Sequence, residues 1–343
     1  MAVEDDWSAI VGDLPLQSET GGFAPEQMTY CRACQRTNPP TRTSCLYCGA
    51  ELEISDSLAC VQMPTLRPLE KWECGFNLIL TLEKMPDMTE ALLRAMTTLL
   101  RLSLADVQRI FRAQSALPLA RAATRNEAAL IKRKLDEFQI SSIIVSDDEL
   151  EQAASLKRAR ALSFTEKELT VHFVDGELLS FKFEDIMLLI AGRIIKRTVE
   201  IEERNKRGAE KELVDMRELS ADESLLDIHT VTGGWRVTAG HFDFSCLGEK
   251  KTLLVAQNYA SLGELLRARA TFAWYDDSYN SLRRALDIVW PCEQEAKTRG
   301  LRRERPGKFN TEAVITSDNE MQFTRYSRLQ HYLKLASLKS NAQ

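Results

Sequence analysis

Residues Tyr30 to Leu52 read YCRACQRTNPPTRTSCLYCGAEL and hold two Cys-x-x-Cys pairs, Cys31/Cys34 and Cys45/Cys48, with ten residues between them. Two residues between cysteines let one tight turn aim both sulfurs at one ion, and two such turns supply four thiolates in a tetrahedron. Gly49 follows the second pair, where the turn needs a residue that tolerates positive φ. Asn38, Pro39 and Pro40 make a turn between the pairs. The spacing predicts a zinc ribbon over 29–53, with Zn2+ held by Cys31, Cys34, Cys45 and Cys48. Four protein ligands leave no open coordination position, so the expected metal is structural rather than catalytic. Iron in the same thiolate cage is the competing occupant, and disulfides or a redox pair are the competing uses of the thiols.

Four further cysteines, Cys60, Cys74, Cys246 and Cys292, are scattered and read as reduced, mostly buried thiols. Cys60 and Cys74 lie near enough in sequence to count as alternative ligands, although neither sits in a paired turn. With 343 residues the chain has room for two or three domains. Hydrophobic residues make up 44% and charged residues 28%, an ordinary globular balance. A net charge of −5 argues against non-specific nucleic-acid binding by the whole chain and leaves a local basic patch open. No apolar run approaches the roughly 18 residues a membrane span needs. The start, MAVEDDWSAIVGDLP, is acidic without a signal-peptide core, and a cytoplasmic location is expected.

Residues 1–28 are acidic and polar and read as a flexible tail, although Trp7, Ile10, Val11 and Leu14 form a motif that can dock on a partner. Residues 54–71, with Pro64 and Pro68, read as a linker. Over 72–150 the pattern is β-α-α-α-β. Phe76 to Leu82 is a short strand, Asp87 and Glu90 cap a helix carrying Leu92, Leu93, Met96, Leu99 and Leu100, and Ser103 with Asp106 starts a second. Pro118 breaks the pattern, Thr124 with Glu127 forms a capping box for a third helix, and Ser142 to Val145 is the closing strand.

The runs FNLILT, ALLRAMTTLLRLSLADVQRIF and ATRNEAALIKRKLDEFQISSIIV resemble the C-terminal domain of the bacterial ribosomal stalk protein, over about 75 residues. The resemblance implies that domain's fold and a protein-binding habit. In that family a Lys- and Gly-rich turn between the first two helices recruits translation factors. Here the turn is Thr98 to Leu104, TLLRLSL, without the glycines and most of the basic charge, so Leu99, Leu102 and Leu104 read as core packing.

Glu151 to Arg160 is a charged bridge. Residues 161–292 read as the next module, in which Leu162 to Val171 and Leu178 to Phe183 alternate apolar and polar residues around the turn Asp175-Gly176. Asp185 to Ile190 is a buried strand, Gly192 permits a bend, Arg197 to Glu202 continues as a strand, and Arg204 to Glu223 reads as a mobile, charged loop. Strands are expected at 225–230, 235–238 and 242–246, and helices starting at Ser261 and at Asp276 or Asp277. This order is similar to that of pleckstrin-homology-type domains, which bind peptides, proteins or lipid headgroups at their edges and loops. The first turn, Val174 to Glu177, is acidic, which disfavours a phosphoinositide site. Residues 293–343 read as a basic loop, with Lys297, Arg299, Arg302, Arg303, Arg305 and Lys308, followed by a helix from Tyr326 to Leu338. Basic residues beside Phe323 and Tyr326 can grip phosphates and stack on bases, although a solvated loop is the plainer use.

No catalytic set is legible. His241, Asp243 and Ser245 share one face of an expected strand, with Phe242, Phe244 and Cys246 on the other, a half-buried sheet pattern rather than a nucleophile with its base. His172, His229 and His331 are scattered. The expectation is an α+β, multidomain, noncatalytic chain. It joins a zinc ribbon, a small α/β domain with helices on one sheet face, and a mainly antiparallel β domain with C-terminal helices. It would act as a protein-interaction or scaffold subunit with protein partners in a larger complex. The alternative is a ribosome- or nucleic-acid-associated factor that uses the stretch 297–308 for RNA contact.

Overall fold

The computed structural model describes residues 28–40, 42–52, 64–70, 72–83, 85–153, 156–205, 211–305 and 308–341. The expected acidic tail, apart from Met28, and Cys60 lie outside the described residues. The cysteine-rich segment carries two short strands, β1 (Thr29–Tyr30) and β2 (Thr37–Asn38), paired antiparallel.

The α/β unit follows as β3 (Phe76–Leu80), α1 (Glu90–Leu100), α2 (Leu104–Arg112), β4 (Pro118–Ala122), α3 (Arg125–Glu137), β5 (Ser142–Ser146) and α4 (Asp147–Ala153). Its antiparallel sheet has the order β4-β3-β5. Sequence pattern anticipates two of these three strands. Pro118, expected to break the chain, is instead the first residue of edge strand β4, a place where the missing N–H costs nothing. Thr89 rather than Asp87 caps α1, accepting from the Leu92 N–H at 3.3 Å. Ser103 caps α2 through the Asp106 N–H.

At α3 the expected capping box is only half made. Thr124 Oγ1 accepts from the Glu127 N–H at 3.2 Å. The buried Glu127 carboxylate, however, accepts from the N–H groups of Thr65 at 2.6 Å, Leu66 at 2.8 Å and Ala123 at 3.3 Å. A charged acceptor inside the protein thereby fixes the linker to the helix.

The second half contributes β6 (Leu156–Phe164), β7 (Glu168–Phe173), β8 (Leu178–Lys182), β9 (Ile186–Asn205), β10 (Lys211–Thr230) and β11 (Gly233–Thr238). Then come α5 (Val255–Arg269), β12 (Trp274–Asp276), α6 (Tyr279–Leu286), β13 (Glu293–Arg305), β14 (Lys308–Asp318) and α7 (Glu320–Asn341). Nine strands form one sheet in the order β13-β14-β9-β10-β11-β6-β7-β8, with β12 also on β9. Most pairings are antiparallel, but β6 with β11 and β12 with β9 are parallel, so the sheet is mixed. Helices with a curled mixed sheet make the chain α+β.

Several expectations are corrected here. The charged segment 204–223 is not a loop where described but the outer part of the β9–β10 ladder, which runs from Asn205↔Lys211 to Thr230 with register shifts between Leu213 and Asp215 and between His229 and Thr230. Opposite charges meet across that ladder, Arg197 with Glu218 at 2.6 Å and Arg193 with Asp222 at 3.1 Å, so charge density conceals a strand. The basic stretch 297–308 is not a loop either. Its described residues belong to hairpin β13–β14, with the register slipping between Thr298 and Gly300. At Gly192 strand β9 continues without a break, and a Cβ there would lie 2.2 Å from the Phe323 ring. Residues 242–246 are not a strand: Phe242 is irregular, Asp243 makes an isolated parallel bridge with Ala161 and a 3₁₀ turn starts at Phe244, although Phe242 and Phe244 are buried and His241, Asp243 and Ser245 exposed as expected. Helices α5 and α7 begin at Val255 and Glu320, earlier than their apolar spacing indicates.

Two cores flank the large sheet. One packs Leu162, Val171, Trp235 and Phe244 with Leu262 and Leu266 of α5. The other draws Leu78, Met96, Ile110 and Ile131 of the α/β unit together with Leu188, Ile190, Tyr279, Trp290, Phe323 and Leu329. This second core takes side chains from both sides of residue 150.

Candidate metal centre

The two cysteine pairs sit on turns of the same construction. Cys31 N–H donates to Arg36 O at 2.9 Å and Gln35 N–H to Cys31 O at 2.8 Å. In the second turn Cys45 N–H donates to Ala50 O at 2.8 Å and Gly49 N–H to Cys45 O at 3.0 Å. Gly49 has φ 73° and Gln35 has φ 59°, so both turns close through a left-handed residue. Gly49 was legible for this role, whereas Gln35 was not, because nothing in its side chain advertises the conformation. Between the turns Arg42 N–H donates to Pro39 O at 3.2 Å, the expected Pro-Pro turn.

All four sulfurs lie within 4.8 Å of one another, with Cys31 to Cys48 at 3.5 Å and Cys34 to Cys45 at 3.6 Å. A tetrahedron with metal–sulfur bonds of about 2.3 Å has edges of about 3.8 Å, so the cluster can hold one metal ion. The electrostatics favour a cation there. Cys48 accepts from the Ala50 N–H, but burial and the sulfurs of Cys31, Cys34 and Cys45 push its thiol up to about 12. Burial also opposes ionisation of Cys45, yet donors from Tyr47, Cys48 and Asn38 outweigh it and bring the thiol down to about 6. Four thiolates at this separation require a positive charge between them.

Asn38 is the residue that sequence reading undervalued. It is fully buried; its Nδ2 donates to Cys45 Sγ at 3.4 Å and to Arg36 O at 3.0 Å, and its Oδ1 accepts from the Leu46 N–H at 2.8 Å. It thus orients both the sulfur and the turn that presents it. Its only sequence signal was a place in a presumed turn. Cys74 is exposed beside Asp148 and outside the cluster, so it is not brought to the metal position.

The other candidate residues do not converge. Asp243 accepts from the Ser245 N–H and Oγ and from Lys251, and among the described residues no hydrogen bond joins His241 to Asp243 or Cys246. Burial pushes the Cys246 thiol up to about 11, the wrong direction for a nucleophile. Two of the histidines read as scattered are in fact neighbours. His229 and His331 stack at 4.6 Å, with His229 Nε2 bonded to Ser327 Oγ at 2.8 Å and His331 Nε2 to Thr230 O at 2.9 Å. Phe323 and Tyr326 face the core, the Tyr326 hydroxyl donating to Asp276 Oδ2 at 2.6 Å, so neither ring is offered to a base. Among the described residues no helix is long and apolar enough to cross a membrane.

Compared with protein-family models, with curated protein sequences and with solved structures, the chain matches none. The likenesses to the ribosomal stalk domain and to pleckstrin-homology-type domains gain no support from those comparisons.

Proposed function

We propose that the protein is a noncatalytic, zinc-binding interaction subunit of a larger cytoplasmic assembly, with the ribbon as its principal docking surface. One observation carries this reading: the ribbon is anchored on one side and aromatic on the other. Its anchor is the Asn126 N–H donating to Glu51 Oε1 at 3.1 Å, with Thr43 and Thr65 hydroxyls in contact at 3.4 Å. Outward it carries Tyr30, Leu46 and Tyr47, at 67%, 48% and 56% exposure, and the Arg36 guanidinium lies 4.7 Å over the Tyr47 ring. Exposed Tyr and Arg on a rigid turn are the residue types that anchor protein interfaces. Zinc suits four thiolates and adds rigidity, and a site closed by four protein ligands supplies no catalytic position.

Affinity capture from the native organism, with metal measured on the eluate, tests this. The expected result is a salt-resistant protein complex that the double variant L46S/Y47S loses while keeping about one zinc per chain. Identical partners on both proteins, or none on either, would overturn it. A second reading has one observation in its favour: Arg302, Arg303, Arg305 and Lys308 lie at the closed end of hairpin β13–β14. A two-stranded ribbon has the width of a duplex major groove. RNA or ribosome binding that falls steeply with salt, and weakens in R302A/R303A/R305A, would support this reading; absent or salt-independent binding removes it.

A further inference from the structure

A cleft of about 710 Å³ opens between residues 66–70 and 72–74, the α1–α2 turn, β4, residues 288–294 and α7. That volume lies within the usual range of small-molecule sites, roughly 300–1,000 Å³. Its lining is mixed, and Leu66, Leu102, Leu119, Ile288 and Val289 supply aliphatic surface beside the charged groups. Trp72, 80% exposed, also lines it.

The cations of the cleft are unequally used. Arg121 is spent on Asp147, bonding it through Nε at 3.0 Å and through Nη2, and donating to Glu73 O at 2.8 Å. Arg67 is spent on both oxygens of Glu73. Arg328 lies 3.9 Å from Glu151. Arg325, half-buried on α7, forms no ion pair with any carboxylate among the described residues; burial and the neighbouring Arg121 act against its charge more strongly than the attraction of Asp147, Glu293 and Glu151 supports it. A part-buried guanidinium without a directly bonded counter-charge is costly, and a carboxylate fits its planar fork in two bonds. Glu70, Glu73, Asp147, Glu151 and Glu293 also line the cleft, so a polyphosphate would be repelled where a single negative charge is accepted.

We propose that this cleft binds a small amphipathic carboxylate, its head on Arg325 and its apolar body along Leu102, Leu119, Ile288 and Val289. This site is separate from the ribbon and independent of the interaction role above. Calorimetric titration of the full, metal-loaded chain with sodium decanoate, below its micelle concentration, is the test. One decanoate should bind per chain, with decanol and decylamine each about tenfold weaker or more. R325M, which keeps the aliphatic stem, should lower decanoate affinity about tenfold or more, and R325K should recover part of it. Absent decanoate binding overturns the proposal, as does equal affinity for decanoate and decylamine, or an undiminished response in folded R325M. The head-group comparison on the unaltered chain decides the matter even if R325M fails to fold.

Discussion

The indole Nε1 of Trp290 donates to Oδ1 of Asn77 at 2.9 Å, joining two buried residues 213 positions apart. Asn77 sits on the central strand of the α/β unit, and Trp290 follows α6 in the second half of the chain. The same amide donates to Val145 O at 3.2 Å and to Asp147 Oδ1 at 2.8 Å. One side chain therefore ties the small sheet, the Arg121–Asp147 pair and the shared core together. Asn77→Ala should destabilise the protein by about 2–3 kcal/mol, because the Trp290 N–H is left buried without an acceptor. Denaturant unfolding followed by circular dichroism should show one cooperative transition at a lower midpoint. Two separated transitions in the unaltered protein would argue that the halves fold apart.

Loss of a cysteine should act more locally. Cys31→Ser should abolish stoichiometric metal and expose the backbone of 29–52 to hydrogen exchange, since among the described residues the cysteine-rich segment's own apolar core is Cys31, Cys45 and Leu52 with Cys34 and Ala50 against it. Exchange over 76–146 should change little. Chelation of the unaltered protein should give the same exchange pattern, reversed by zinc. Retained metal in the serine variant would show that the four sulfurs are not the ligand set.

Gly192→Ala probes packing rather than turn geometry. The added methyl would meet the buried Phe323 ring at 2.2 Å. Displacing that ring from the core should cost about 1–3 kcal/mol, with α7 losing protection against exchange. An unchanged denaturation midpoint would show that Phe323 can yield freely.

His229 predicts a pH dependence. Burial pushes its imidazole down to about 3, with the attraction of Asp227 too weak to compensate. In the folded protein it stays neutral while in the unfolded chain it takes a proton near pH 6.5. Stability should therefore be fullest above about pH 6.5 and decline as the pH falls from there toward 3, because the unfolded state binds the extra proton. His229→Asn should be less stable at pH 7 and show a flatter decline between pH 6.5 and 4, measured by urea midpoints. An equally steep decline in the variant would assign the effect elsewhere.

Local chemistry was legible where it acts over a few residues. The two Cys-x-x-Cys turns, Gly49, the Pro39–Pro40 turn, the caps at Ser103 and Thr124 and the Asp175-Gly176 hairpin each follow from neighbours in sequence. Elements whose partners are distant were misread. Residues 211–223 are a strand because β9 supplies opposite charges and a hydrogen-bonding edge, and 293–305 because β14 does. Pro118 sits in β4 because its position is at an edge, which no local pattern reveals.

By itself the sequence determined the four-cysteine cluster and its turns, since two short loops fix those sulfurs with little help from the rest of the chain. Only the tertiary structure decided that Glu127 staples the linker, that His229 stacks on His331, that Phe323 requires Gly192, and that Arg325 lines a cleft without an ion pair among the described residues. The reason is physical. A buried polar group or a close contact is defined by what surrounds it, and those surroundings are assembled from residues that folding alone brings together.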